Sequence, residues 1–221
     1  MSKVIAMIPA RMGSQRLIKK NLRELEGVPL ITRAIRKCKE AGCFDEIWVN
    51  SEDEVFGKIA AEEDVYFHKR PMFLGDNNAT SEEFVKEFLE CHECTYILQV
   101  HSIAPLLSTS EVKQFTLSFI NSGCDVFLSC IEDQIEVAFN NKPVNFSFAE
   151  KTNSQDLSPM QRITWGITGW KKEKYLETRK NNDCATYAGK VGFFPVNPMS
   201  GHVIKTQIDL DIATAYLKIV C

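Results

Sequence analysis

The sequence predicts an α/β protein with a mainly parallel central sheet flanked by helices, and three observations carry that prediction. From Val4 to Cys130, short β-rich apolar runs alternate with helical patterns, which is the mark of βαβ units. The 221 residues are 44% hydrophobic and 25% charged, values that suit a chain with a sizeable core and exclude a disordered one. Beyond Glu132 the alternation breaks without any repeat, low-complexity tract or linker. Residues 1–221 therefore read as one domain carrying a local excursion over 132–170.

The first strand is Val4–Pro9, and further strands fall at Glu46–Asn50, Val65–Phe67, Tyr96–Val100 and Asp125–Cys130. Between them, a helix at Leu30–Ala41 sets Leu30, Ile31, Ala34, Ile35 and Cys38 on one stripe and leaves Arg33, Arg36, Lys37 and Lys39 to solvent. Val55–Glu62, Ser81–Glu90 and Ser110–Asn121 repeat the helical spacing. Ser81 before Glu82 and Glu83, and Ser110 before Glu111, read as N-caps followed by acidic first turns. Gln134–Phe148 reads as short strands around Asn140-Asn141-Lys142-Pro143, and Glu150–Arg162 as a polar loop containing Pro159. Ile163–Trp170 is an apolar aromatic segment, Lys171–Arg179 a polar helix, Val191–Val196 a strand and Asp209–Val220 a closing helix.

Lys and Arg number 26 against 29 Asp and Glu, a net charge of −3, which argues against a nucleic-acid partner. Apolar runs such as Val4–Ala10 fall far short of the roughly 18 residues of a membrane span, and the N-terminus has neither the basic flank nor the small-residue site of a secretion signal. The expectation is a soluble cytoplasmic protein with no membrane partner. There the eight cysteines stay reduced, and Cys38, Cys43, Cys124 and Cys130 read as small core groups. Cys91 and Cys94 have CxxC spacing, but no second pair completes a zinc site, and this pair ends a helix rather than opening one.

The most informative segment follows the first strand: Ile8-Pro9-Ala10-Arg11-Met12-Gly13-Ser14-Gln15-Arg16-Leu17-Ile18-Lys19-Lys20-Asn21. In an open α/β sheet such a loop lies at the carboxyl edge, where ligands bind. Gly13 and Ser14 allow tight turns that present N–H groups, and Arg11, Arg16, Lys19 and Lys20 crowd four cations into one loop, a pattern suited to a polyphosphate. The pattern is neither GxxxxGK[ST] nor GxGxxG, which disfavours an ordinary P-loop or dinucleotide site. A solvated basic loop has the same composition.

The same segment resembles IPAR-x-GS-x-R-x-x-x-KN, the signature of the CMP-sugar synthetases, that is, the acylneuraminate and 3-deoxy-manno-octulosonate cytidylyltransferases. The order of later segments agrees with that family over nearly the whole chain. The resemblance implies a Rossmann-like nucleotidyltransferase fold and a homodimer whose contact region is the 132–170 excursion. It implies a reaction in which the anomeric hydroxyl of a 2-keto sugar acid, here a sialic-acid-like nonulosonate, attacks the α-phosphate of CTP and releases pyrophosphate. Mg²⁺ is the implied cofactor. Arg11 and Lys20 would face the triphosphate and, with Asp209, carry catalysis, while Ala10, Gly13, Ser14 and Asn21 would surround the nucleotide. Positioned cations suit this chemistry because charge builds on the phosphoryl oxygens and the departing pyrophosphate. Two other readings stay open: a nucleotidyltransferase for another sugar or cell-surface precursor, and a nucleotide- or sugar-binding protein without turnover.

Arg70-Pro71-Met72-Phe73-Leu74-Gly75-Asp76-Asn77-Asn78-Ala79-Thr80-Ser81 is similar to the family's second segment, RP-x-x-L followed by a small-residue turn that opens a helix. The resemblance implies that Arg70 and Ser81 read the cytosine, whose O2 and N3 acceptors and N4 donor set it apart from uracil. Read without the family, Ser81 is a helix N-cap and Arg70 a surface cation before proline.

Ile97–Leu106 stands in the place of the acylneuraminate QPTSPL segment, with Gln99 and Pro105-Leu106 matching and a longer interior. Gln99 would hydrogen-bond sugar or nucleotide; His101 suits acid–base chemistry or a structural hydrogen bond. Arg162-Ile163-Thr164-Trp165-Gly166 sits where acylneuraminate enzymes carry R-P-N-G, which implies Arg162 on the sugar carboxylate and Trp165 on the ring face. Trp165 and Trp170 read equally well as apolar anchors of the excursion. Val203–Asp211 resembles ID-T-x-x-DL, with Asp209 at the second acid and Lys205 where the family has an acidic metal ligand. Asp209 and Asp211 would share Mg²⁺ at strand or turn spacing; in a helix they point to different faces, and either caps it.

Overall fold

Strand β1 (Val4–Pro9) is buried at every position but the last, and its alternation assigns the two halves of the core. Val4, Ala6 and Ile8 join one apolar cluster, Ile5 and Met7 the other, as the period of two along a strand requires. The structure, a computed structural model, describes residues 2–76 and 78–220; Asn77, inside the Arg70–Ser81 segment, lies outside the described residues.

After β1 and its basic loop, a hairpin of β2 (Glu24–Leu25) and β3 (Val28–Pro29) leads into α1 (Leu30–Ala41). Then follow β4 (Glu46–Ser51), α2 (Glu54–Glu62), β5 (Tyr66–Lys69), α3 (Ser81–Cys91), β6 (Tyr96–Val100), α4 (Thr109–Ser122) and β7 (Val126–Asp133). A second hairpin, β8 (Ala138–Phe139) with β9 (Lys142–Pro143), precedes β10 (Met160–Lys171), α5 (Lys172–Lys180), β11 (Val191–Pro195) and α6 (Gln207–Val220). The seven-stranded sheet runs β11-β7-β10-β6-β1-β4-β5. Its pairs are parallel except where β10 enters antiparallel between β6 and β7. Helices α1, α2 and α4 cover one face, and α3 and α5 the other. This is the mainly parallel sheet between helical layers that the sequence predicts.

Two helix starts differ from the sequence reading. Thr80, not Ser81, is the N-cap of α3, and Ser108, not Ser110, that of α4. The physical reason is reciprocal: a capping box needs the hydroxyl three positions before a glutamate, which selects Thr80 with Glu83 and Ser108 with Glu111. The segment 160–171 is also one long strand instead of a loop end and an apolar stretch. Its register shifts between Ile163 and Thr168, and inside that irregularity Trp165 takes a left-handed φ of 59°, as a bulged strand permits.

A third apolar cluster positions the site. Leu17 from the basic loop, Leu25, Leu30, and Ile204, Leu210 and Ala213 around the start of α6 pack together. The last helix is thus clamped beside the first loop although nearly the whole sequence separates them. Among the described residues, no helix is long and apolar enough to cross a membrane.

Candidate active site

Strand β1 lies between β4 and β6, with β5 beyond β4, so the order of connection reverses beside β1. The carboxyl ends of strands at such a switch point leave a crevice. Here the residues following β1, β5 and β6 enclose a cleft of about 390 Å³ together with the N-terminus of α3 and Lys205 before α6.

The basic loop supplies much of the cleft wall. Ala10, Arg11, Ser14, Arg16, Lys20 and Asn21 line it, and Lys205 faces them. Lys19 does not line it; it adopts a left-handed conformation before a short 3-10 turn at Lys20–Leu22. Gly13 is exposed and also outside the lining. The loop offers less backbone than its glycine suggests, because Met12 N–H donates to Glu52 Oε1 at 3.1 Å and Ser14 N–H to Met12 O at 2.9 Å. What it presents is side-chain charge. Burial, then the charges of Arg16, Arg11 and Lys205, hold Lys20 below the ordinary lysine range, and Asp209 offsets this in part. Such unrelieved repulsion among cations is what an anion would relieve.

Asn21 is buried, and its amide is committed inside the protein. Nδ2 donates to Arg11 O at 3.1 Å, and Oδ1 accepts from Ser102 Oγ at 2.8 Å. It ties the basic loop to the segment after β6, so its role in the fold is to position the loop.

Arg70, Ser81 and Phe84 also line the cleft. Arg70 is no surface cation: Nη2 donates to Glu52 Oε2 at 2.7 Å and to Ala10 O at 2.9 Å, Nη1 to Asn50 Oδ1 at 3.3 Å. Its guanidinium also lies 4.9 Å from the centroid of Phe84. Glu52 went unnoticed in the sequence, where the only available signal is its place just past the end of β4. Ser81, in the first turn of α3, is exposed towards the cleft.

His101, directly after β6, lines the cleft close to Lys20. Burial, reinforced by the charge of Lys20, holds it down to about 4, so the imidazole is neutral at pH 7. Gln99, two residues earlier, is buried outside the lining; among the described residues its Nε2 has no partner, nor has Oγ1 of Thr168, which lies opposite it on β10. Arg162 and Trp165 are not brought to the cleft either. Arg162 pairs with Asp133 at 2.8 Å and is 60% exposed, and Trp165 meets Tyr187 edge-on at 6.2 Å.

Asp209 and Asp211 do not converge on one ion. Asp209 stands in the first turn of α6 and Asp211 two positions on, and helix residues two apart point roughly 200° from each other. Asp209 Oδ2 accepts from Lys205 N at 2.9 Å, Thr206 N at 2.7 Å and Thr206 Oγ1 at 2.9 Å, and Asp209 N–H returns to Thr206 Oγ1 at 3.4 Å. This is a capping box. Asp211 Oδ1 accepts from Gln207 Nε2 at 2.8 Å on the exposed side. Among the described residues, no three His, Cys, Asp or Glu side chains come together as a metal group would need. One carboxylate already bonded by three donors, on a rim with Lys20 and Lys205, does not fit a protein-held divalent cation.

Known proteins resemble the chain over most of its length. A family model described as cytidylyltransferase matches residues 5–218. An N-acylneuraminate cytidylyltransferase of Streptococcus agalactiae serotype III is 30% identical over 198 residues, covering 84% of this chain and 48% of that protein. A pseudaminic acid cytidylyltransferase of Campylobacter jejuni serotype O:2 is 30% identical over 172 residues, covering 71% of this chain and 73% of the relative. The chain thus spans about half the length of the Streptococcus N-acylneuraminate relatives it matches. Among solved structures, a CMP:2-keto-3-deoxy-manno-octonic acid synthetase complexed with CTP superposes with a TM-score of 0.72 at 14% identity, covering all of both chains. A 4-diphosphocytidyl-2C-methyl-D-erythritol synthase of Anaerococcus prevotii gives 0.69 at 16%, covering 98% and 99%. At those identities the structural likeness establishes the fold. With a family match that runs from β1 into α6, the chain belongs to the cytidylyltransferase family.

Proposed function

We propose that the protein transfers CMP from CTP to a 2-keto sugar acid of the sialic-acid type, releasing pyrophosphate. The observation that carries this reading is the set of side chains that line one cleft. Arg11, Arg16 and Lys20, mutually repelling cations, share its wall with Arg70, Ser81, Phe84 and His101. In the reaction a bond forms between the acceptor hydroxyl oxygen and the α-phosphorus, and the bond from that phosphorus to the bridging oxygen breaks. Charge moves onto the α-phosphoryl oxygens and the leaving pyrophosphate, where fixed cations lower the barrier. Arg11, with one Nη1 bond to Asp76 O at 2.9 Å, keeps donors for two phosphate oxygens, and Lys20 follows the migrating charge as a point cation. Ser81 and the guanidinium edge of Arg70 read the cytosine. His101, neutral at pH 7, accepts the hydroxyl proton.

The Mg²⁺ that the family typically uses would find no cluster of carboxylates to hold it among the described residues. The nonulosonate assignment draws on the relatives, which are named for N-acylneuraminate and pseudaminic acid. One observation favours a second acceptor class: Arg162, the cation expected on a sugar carboxylate, pairs with Asp133 instead. A different sugar or cell-surface precursor then takes the acceptor's place. We assign the activity to the cytoplasm and to a homodimer formed through the 132–170 excursion, whose Phe139 and Phe148 stand exposed.

The deciding assay combines the purified protein with each of the four nucleoside triphosphates and a panel of 2-keto sugar acids, read by pyrophosphate release. Release with CTP and a nonulosonate is expected. Activity with UTP or GTP but not CTP overturns the cytidine reading, and CTP binding without turnover on any acceptor leaves a binding protein.

A further inference from the structure

We infer that Lys205 is the fourth cationic arm of the phosphate site, so that the chain neutralises a nucleoside triphosphate with its own side chains instead of a carboxylate-held divalent cation. This rests on the nucleotide reading of the cleft and adds to it how the charge is balanced.

The backbone around Lys205 is held on both sides. Ile204 is fully buried in the third apolar cluster, and its N–H donates to Ile103 O at 2.8 Å, beside the cleft-lining His101 and Ser102. Lys205 N–H donates to Asp209 Oδ2 at 2.9 Å. Two residues on, Gln207 Oε1 accepts from Arg23 Nη2 at 2.8 Å, which fixes the start of α6 to the chain just after the basic loop. A pinned main chain with a solvent-exposed side chain on the cleft wall aims the ammonium without freezing it.

The charge balance points the same way. Among the described residues, none of Arg11, Arg16, Lys20 and Lys205 forms an ion pair with a carboxylate. Cations placed together at a stability cost and left unpaired are a site for a polyanion. Asp209, the acid closest in sequence, spends one oxygen on three donors of the helix start. Its geometry orients Lys205 rather than building a metal cage. Asp76, the one acid in the cleft lining among the described residues, has Oδ1 bonded by the N–H groups of Asn78 and Ala79 at 2.7 and 2.9 Å.

The test is calorimetric titration of CTP into the full chain and its variants Lys205→Ala, Lys205→Arg and Lys205→Asp, each in EDTA and in excess Mg²⁺. The wild type is expected to bind CTP in EDTA. Lys205→Ala should lose about tenfold or more there, and Lys205→Arg should stay within about threefold of wild type. Lys205→Asp should bind measurably only with Mg²⁺, because it exchanges a resident cation for a ligand of a mobile one. If Lys205→Ala matches wild type in EDTA, or if wild type itself binds CTP only with Mg²⁺, the inference is overturned while the nucleotide reading stands. If wild type binds CTP in neither buffer, both fall.

Discussion

Glu52 and Arg70 hold the floor of the cleft as one unit, with Oε2 and Nη2 2.7 Å apart and the two side chains only 7% and 2% exposed. The other oxygen of Glu52 takes the Met12 N–H at 3.1 Å, and the same Arg70 nitrogen reaches Ala10 O. A single buried carboxylate therefore registers the basic loop after β1 against the chain end of β5. The neighbouring Gly75 leaves room for it, since a Cβ there would fall 2.3 Å from Glu52 Cδ.

Breaking that pair on one side strands a buried charge. Glu52→Gln or Arg70→Met should each cost about 3 kcal/mol or more in urea unfolding, whereas the double variant should recover part of the loss. Single variants within about 0.5 kcal/mol of wild type would show that water reaches the pair and that the floor is not dry.

Lys20 is partly buried among cations, and its removal should cost turnover rather than folding. Lys20→Ala should lower kcat by about a hundredfold or more with CTP, with an unchanged urea midpoint or a small gain from relieved repulsion. Steady-state pyrophosphate kinetics beside an unfolding curve separates the two effects; wild-type kinetics for Lys20→Ala would remove it from the mechanism.

These two residues also mark how far the sequence could be read. Lys20 was legible because its loop follows a buried strand directly and crowds its charge into a few positions. Glu52 was not, because a lone glutamate after a strand looks like any solvated residue until the partner eighteen positions away is placed against it. The fold carried over for the same reason as Lys20: periodicity is local, and α1 and β6 have the bounds their patterns predict. Arg162 and Trp165 lie outside the cleft lining because geometry there is non-local. The long antiparallel β10 inserts between two parallel neighbours, and its irregularity sets the direction of Trp165, while Arg162 is captured by Asp133 across the ladder. Lys205 reaches the cleft only through the packing of α6 on Leu17, Leu25 and Leu30, a contact no window of sequence displays.

Acid should weaken the fold through its half-buried histidines. Burial, then the charge of His68, holds His92 down to about 4, and its Nε2 lies 2.9 Å from His68 Nδ1; His101 is held equally low by burial and Lys20. The unfolded chain takes up these protons near pH 6.5. Between that value and about 4 the unfolded state binds more protons than the fold, so this stability is fully present above pH 6.5 and is lost as pH falls through the window. The urea midpoint should drop by on the order of 0.5 M from pH 7 to pH 4.5. His92→Gln should flatten that slope, and a slope unchanged by it would place the acid sensitivity in other groups.

The hairpin of β8 and β9 carries more apolar surface than a monomer needs. Phe139 is 70% and Phe148 73% exposed, with Ile135 and Val144 beside them in sequence and also exposed. Phe139→Asp with Phe148→Asp should convert a dimer to a monomer by light scattering, with the cleft's affinity for CTP within about threefold of wild type. A wild-type chain that scatters as a monomer at high concentration would leave the hairpin without this role.

Asp209 and Asp211 make the sharpest separation between a helix cap and a metal site. Asp209 closes the box with Thr206 and holds the Lys205 N–H, so Asp209→Ala should cost about 1 kcal/mol of stability, as lost caps do. Its effect on CTP binding should act through the freed backbone of Lys205 and therefore be the same size in EDTA and in Mg²⁺. Asp211 bonds only Gln207 on the exposed side of α6, and Asp211→Asn should be silent in both measurements. An ion shared by the two carboxylates makes opposite demands: each substitution would weaken CTP binding, and only when Mg²⁺ is present. The dependence on the buffer, more than the size of either loss, decides whether this helix start orients a lysine or ligates a metal.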